Sequence, residues 1–245
     1  MRRMRASRDQ IEANSAEGTA DPIRNRGLNP MSDEINLRIT GVERGEEIAG
    51  ARKLTLATTR GPIPLLYHAP AEAGRAVLCV GGAIGGFDGP ALLYPRLGLM
   101  LPGTGLGVAR LDYRAPNDFG ECVLDAMAGV TFLRGMSHQR IAIVGHSFGG
   151  AVAINAGTLS RNVTTVVALS SQLAGAHVVA DLAPRPLLLV HGTADTILPH
   201  QSSEAIYERA QEPKTLKLIP GADHLYSGFG DEVFDLVQKW LAANT

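Results

Sequence analysis

Three residues far apart in this chain have the types that acyl transfer requires. Ser147 lies in Gly145-His146-Ser147-Phe148-Gly149, after an apolar run at 141–144 and before an alanine-rich stretch. Strand, sharp turn and helix with a serine at the apex is the context of a nucleophile elbow. A serine hydroxyl attacks poorly until a base takes its proton, and that base needs an orienting partner. Two later segments offer both. Leu189-Val190-His191-Gly192-Thr193-Ala194-Asp195 runs from an apolar strand into a small-residue turn that ends in a carboxylate. Leu218-Ile219-Pro220-Gly221-Ala222-Asp223-His224 does the same and delivers a histidine. The expected roles are Ser147 as nucleophile, His224 as general base and acid, and Asp195 as its orienting carboxylate.

The chain has 28 glycines, so G-x-S-x-G alone is weak, and the joint order of the three motifs carries the weight. Asp223, Asp112 and Asp181 are competing carboxylates. Asp223 adjoins His224 and reads as a brace of its own loop. His191 reads as a packing residue before the acid turn. His146 reads as packing beneath the site or bonding a neighbouring backbone.

Acyl transfer also needs donors for the developing oxyanion. One expected donor is the backbone N–H of Phe148, the residue after the nucleophile. The other is expected from Gly81-Gly82-Ala83-Ile84-Gly85-Gly86, with Ala83 the first choice and Ile84 the second. This glycine run has no following lysine with serine or threonine, and it does not open a helix as G-x-G-x-x-G. Phosphate-loop and dinucleotide readings therefore fit poorly.

These motifs must be held by strands whose carboxyl ends share one edge. Continuous apolar runs at 76–80, 107–111, 141–144, 163–169, 187–190 and 215–219 suit strands of a parallel sheet covered on both faces. Helical patterns at 119–133, 149–159, 202–210 and 231–241 alternate with them. Runs at 35–39, 53–58 and 63–68 read as an antiparallel N-terminal portion. The expected fold is α/β, a mostly parallel twisted sheet of about eight strands with helices on both faces. Residues 1–31 are polar, arginine-rich and aperiodic, and read as a disordered tail before a single domain at 32–245. Met31-Ser32-Asp33-Glu34 has the look of a protein start, so 1–31 is either a native tail or an upstream extension.

In this order and spacing GGAIGG, GHSFGG, HGTADTILP and PGADH resemble the α/β-hydrolase superfamily over residues 50–243. The similarity is to its small lidless members: dienelactone-hydrolase-like, acyl-thioesterase-like and small carboxylesterase proteins. It implies the same roles for Ser147, Asp195, His224, Phe148 and Ala83. Two departures stand out. Many dienelactone hydrolases use a cysteine nucleophile where this chain has Ser147, and many esterases have a histidine where it has Gly81.

The segment after Leu169, where many lipases insert a lid, is short, which favours an open cleft for a small acyl substrate. Ile84, Phe87, Phe148, Leu173, Ile197, Leu198 and Tyr226 are candidates to line it. Arg114 and Asn117 are candidates to meet a polar or anionic substrate end. The expected reaction is cleavage of a carboxylic ester, or a thioester, through an acyl-enzyme, with no metal and no organic cofactor. Alternatives are a prolyl-oligopeptidase-type serine peptidase and a non-catalytic binding protein of the same fold.

The formal net charge is -1, so no bulk attraction to nucleic acid is expected. No apolar run is long enough for a membrane span. With two cysteines, Cys79 and Cys122, and no signal-peptide pattern, the cytoplasm is the expected compartment, and a monomer or homodimer the expected state.

Overall fold

Strand β4 (Arg75–Val80) shows why the apolar runs are continuous. Ala76, Leu78 and Val80 enter the core on one face of the sheet. Val77 and Cys79 enter the core on the other. Side chains alternate along a strand, so a strand covered on both sides shows no alternation in sequence.

The computed structural model describes residues 36–245. The expected tail at 1–31, and 32–35 with it, lie outside the described residues. The sheet has nine strands, in keeping with the expected sheet of about eight, in the order β1-β2-β3-β5-β4-β6-β7-β8-β9. Strands β1 (Ile39–Ile48), β2 (Ala51–Thr58) and β3 (Ile63–His68) form an antiparallel meander, and β3 joins β5 (Leu106–Leu111) antiparallel. From β5 onward the neighbours β4, β6 (Arg140–His146), β7 (Val163–Leu169), β8 (Leu187–Gly192) and β9 (Lys214–Ile219) are parallel.

The expected strand at 35–39 is corrected: the strand begins at Ile39, where that run ends. Its sequence, ITGVERGEEI, has little apolar patterning because it is an edge strand exposed along most of its length. A tight turn joins it to β2 through Ala49 and Gly50, both at positive φ, the geometry of a two-residue hairpin.

Helices α2 (Phe119–Gly135), α3 (Phe148–Leu159), α4 (Gln201–Arg209) and α5 (Gly230–Asn244) lie close to their expected spans. Helix α1 (Leu93–Met100) is not among the expected spans; prolines 90, 95 and 102 lie within it or beside it. Pro95 is the third residue of α1, in the first turn, where a backbone N–H has no partner within the helix. Leu93, Tyr94 and Leu97 are buried, so packing holds the helix. Phe132, Leu133, Val152 and Ile154 belong to the core on the face that α2 and α3 cover. Leu97, Val233 and Val237 belong to the opposite core, under α1 and α5.

The strand order reverses next to β4. The chain passes from β4 outward to β5, then returns to β6 on the other side of β4. Open α/β sheets bind ligands outside the carboxyl ends of their strands at such a reversal. Here those ends carry residues 81–89 after β4 and Ser147 after β6.

Candidate active site

Ser147 follows β6 directly and caps α3, with φ 59 and ψ -121. Sparsely populated backbone of this kind costs about 1–3 kcal/mol and persists only where the surroundings dictate it. They do so here. The Ser147 N–H donates to the Leu169 carbonyl at 2.8 Å, and its carbonyl accepts from Gly150 N at 3.0 Å. Its glycine neighbours allow the turn to close. A Cβ on Gly145 would lie 1.9 Å from the Gly149 carbonyl oxygen, and one on Gly149 would lie 2.1 Å from the Gly81 carbonyl oxygen. The helix thus starts at the serine, with its N–H-rich, electropositive end beside the hydroxyl.

The loops after β8 and β9 are fastened to each other. Ala194 N donates to the Ala222 carbonyl at 2.9 Å, and Gly221 N to Thr193 Oγ1 at 3.0 Å. Gly192 permits this closeness, since a Cβ there would sit 2.2 Å from the Ala222 oxygen. Fastening brings Asp195 to His224: the His224 Nδ1–H donates to Asp195 Oδ2 at 2.7 Å. A carboxylate only accepts, so this bond puts the proton on Nδ1 and leaves Nε2 as the free lone pair. Asp195 Oδ1 accepts from the N–H groups of Ile197 and Leu198, both at 2.8 Å. Burial pushes this carboxyl up, but the Leu198 N–H, the His224 ring and the Ile197 N–H outweigh it and hold it below its ordinary value.

The competing carboxylates are occupied or exposed. Asp223 Oδ1 accepts from Leu225 N and Ser227 N, at 3.0 and 2.9 Å, and braces the loop. Asp112 Oδ1 accepts from Gly86 N at 2.7 Å and Tyr113 N at 3.0 Å, which holds the glycine loop. Asp181 is exposed.

Ser147 and His224 line one cavity of about 380 Å³ with residues 81–89, His146 and Leu225. Among the described residues no hydrogen bond joins the Ser147 hydroxyl to the His224 ring; such contacts often tighten only once substrate is bound. A Cβ on Gly82 would lie 3.7 Å from Ser147 Cβ, so the Gly82–Ala83 peptide runs beside the serine. A larger cavity, about 750 Å³, lies elsewhere between β1–β3 and the end of α2. Its walls are mainly apolar and carry no nucleophile–base pair, so the smaller cavity is the candidate site.

Of the residues expected to line a substrate pocket, Ile84 and Phe87 do so, and Ile84 is almost wholly exposed at the rim. The others are not among the residues that line it. Tyr226, at φ 58, turns into the core and is fully buried, donating its hydroxyl to the Val190 carbonyl and accepting from Ser170 Oγ. The Phe148 ring packs edge-on against Phe119 and Tyr113. Leu173 packs on the core. Ile197 points to solvent, and Leu198 serves through its backbone. Arg114 pairs with Asp125 and Glu121 rather than facing a substrate.

Two histidines flank the pair. His146 Nε2 lies 2.9 Å from the His224 carbonyl oxygen, and their ring centroids are 4.7 Å apart. Burial lowers its pKa to about 4, so it is neutral near pH 7. His191, read from sequence as packing, contacts Asp195 itself at 3.1 Å and Ser203 on α4 at 2.7 Å. No sequence signal marks Ser203, an unremarkable serine in the first turn of a helix. Among the described residues no group of three or more His, Cys, Asp or Glu side chains is placed to hold a metal ion. None of their helices is long and apolar enough to cross a membrane.

A sequence model for the family described as Phospholipase/Carboxylesterase matches residues 123–230, a span that contains Ser147, Asp195 and His224. The uncharacterized protein YfhR of Escherichia coli K12 is 29% identical over 174 residues, 58% of this chain and 61% of that protein. The chain thus spans about three fifths of that relative's length. Among solved structures, a dienelactone hydrolase from Anabaena variabilis superposes with a TM-score of 0.69 at 20% identity, covering 80% of this chain and 99% of that one. Est1E from Butyrivibrio proteoclasticus superposes at 0.65 and 16% identity, covering 83% and 98%. At these identities the likeness is one of fold.

Proposed function

We propose that the chain is a member of the α/β-hydrolase superfamily and a serine hydrolase of small carboxylic esters or thioesters. The observation that carries the reading is the shared cavity: a serine on a strained elbow and a histidine oriented by a buried aspartate line the same space.

Ser147 Oγ attacks the substrate carbonyl carbon while its proton passes to His224 Nε2. The carbonyl π pair moves onto oxygen, and the N–H groups of Phe148 and Ala83 receive that charge. One such donor is worth about 2.7–4 kcal/mol of barrier. Asp195 stabilises the imidazolium. Collapse expels the alcohol or thiol, which takes the proton from His224. Water then repeats the sequence on the acyl-enzyme, and the acid leaves with Ser147 restored.

A volume of about 380 Å³ lies at the small end of the range for ligand sites, about 300–1,000 Å³, and supports a compact substrate. Ile84, Phe87 and Leu225 favour an apolar acyl or alkyl group. The matched family description and the dienelactone hydrolase likeness support ester chemistry. The two buried, unpaired cysteines support a reducing compartment, the cytoplasm.

The test is labelling by a fluorophosphonate probe in competition with ester, thioester and peptide panels. Labelling that Ser147→Ala abolishes and a short-chain ester suppresses is expected. Wild-type ester hydrolysis by Ser147→Ala overturns the reading.

A further inference from the structure

We propose that His191, held by Ser203, is a positioning residue that clamps the carboxylate of Asp195 so that one oxygen faces His224. The proposal rests on the serine-hydrolase reading for its kinetic consequences.

The clamp follows from counting donors. Asp195 Oδ2 receives His224 Nδ1 at 2.7 Å and His191 Nε2 at 3.1 Å. Oδ1 receives the two backbone N–H groups of the following turn. Each carboxylate oxygen has room for about two donors, and all four places are taken. Turning the carboxylate about Cβ–Cγ breaks all four bonds together.

The protonation state of His191 follows from its partners. Its Nε2 faces Asp195 Oδ2 and the Leu198 carbonyl, at 3.1 Å each. Both only accept, so Nε2 carries the proton and donates to both. The Ser203 hydroxyl, 2.7 Å from Nδ1, then donates to the ring. His191 and Ser203 are completely buried, so water has no access to compete. Burial lowers the pKa of His191, in keeping with a neutral ring.

The two anchors are rigid elements. His191 belongs to β8 inside the sheet, and Ser203 to α4. Asp195, by contrast, sits in a turn. The clamp transfers the rigidity of a strand and a helix to a loop carboxylate. Displacement of a catalytic group by about 1 Å costs up to about 100-fold in rate, so the clamp acts on turnover more than on binding.

His191→Leu removes the donor at similar volume, and His191→Gln keeps an N–H near the position of Nε2. Steady-state ester hydrolysis is measured for both, with active sites counted by fluorophosphonate labelling. Expected for His191→Leu is a fall in kcat of about 10- to 100-fold with KM within about twofold of wild type. His191→Gln is expected to recover most of it. A second readout needs no turnover: the downfield proton resonance of His224 Nδ1–H, assigned by its loss in His224→Gln. It is expected to shift and exchange faster with water in His191→Leu and to return in His191→Gln. Should His191→Leu fail to fold, Ser203→Ala carries the test, with changes of the same kind and smaller size. Wild-type kcat and resonance in these variants, or equal loss in the Leu and Gln variants, overturn the clamp. Failure of the serine-hydrolase reading is seen separately, in Ser147→Ala, and leaves the resonance arm intact.

Discussion

Replacing Ser147 by glycine is expected to stabilise the protein while abolishing turnover. The serine sits at φ 59 and ψ -121, where a Cβ is disfavoured, and such backbone costs about 1–3 kcal/mol. Glycine adopts it freely but gains conformational freedom in the unfolded chain, a loss of about 0.4–1 kcal/mol. The net expectation is a gain of about 0.5–2 kcal/mol. For a domain of this size each kcal/mol moves Tm by about 2–4 °C, so a rise of about 1–8 °C is expected. S147A is the control, because it removes the hydroxyl and keeps the strained Cβ. At an ordinary position alanine is the more stable by about 0.5–1 kcal/mol, so the strain reverses the usual order. The assay is thermal and urea unfolding of wild type, S147A and S147G side by side, with ester hydrolysis recorded on each. If S147G is the less stable of the two variants, the turn is not strained at Ser147, and the account of the elbow fails.

Other outcomes follow from the same geometry. Asp195→Asn is expected to lower kcat by about 10³–10⁴, measured on the ester that performs best in the panel; an unchanged rate moves the orienting role to another carboxylate. Gly149→Ala places a Cβ between the backbones of Gly81 and Val80, neither able to give way, so a loss of about 3 kcal/mol or failure to accumulate as soluble protein is expected; wild-type Tm contradicts the close approach. Stability is expected to fall as pH drops from 6.5 to 4. His68 and His146 are each lowered by burial to about 4, so the folded state holds them neutral while the unfolded chain protonates them near 6.5. Their contribution is fully present above about pH 6.5 and is lost as pH falls to the folded value, on the order of 3 kcal/mol for the enclosed His146 and less for His68, where solvent screens part of the effect. Urea midpoints at pH 7.5, 5.5 and 4.5 measure this, and equal midpoints refute the burial argument. Asp195, held below the ordinary carboxylate range, adds a loss at pH below that window.

What the sequence displayed was set by how each element is covered. Strands β4 to β8 are enclosed on both faces, so each appears as a mainly apolar run without alternation, Arg110 and Thr165 being buried exceptions. The edge strand β1 is exposed along most of its length, and nothing in ITGVERGEEI separates it from a loop. Helix α1 was hidden for a different reason. Its three flanking or internal prolines are ordinarily read as breakers, and only the tertiary contacts of Leu93, Tyr94 and Leu97 show that packing overrides that signal.

The same contrast divides the site. Ser147, Asp195 and His224 could be singled out as candidates because a strand end fixes where its loop begins, and each lies within a few residues of one. Side chains further along a loop have no such anchor. Tyr226 is two residues beyond His224, yet its positive φ turns the ring inward, where its hydroxyl bridges Ser170 and Val190. Arg114 was open to a substrate role until the fold put Asp125 and Glu121 beside it. His191 shows the opposite case, a residue read as packing that contacts Asp195. An apolar strand followed by glycine makes a histidine look like filler, because its partner Ser203 belongs to a helix that starts only after the acid turn has closed. A sheet thus announces the residues at its carboxyl edge, while the residues that hold them in place become visible only once the loops are folded against one another.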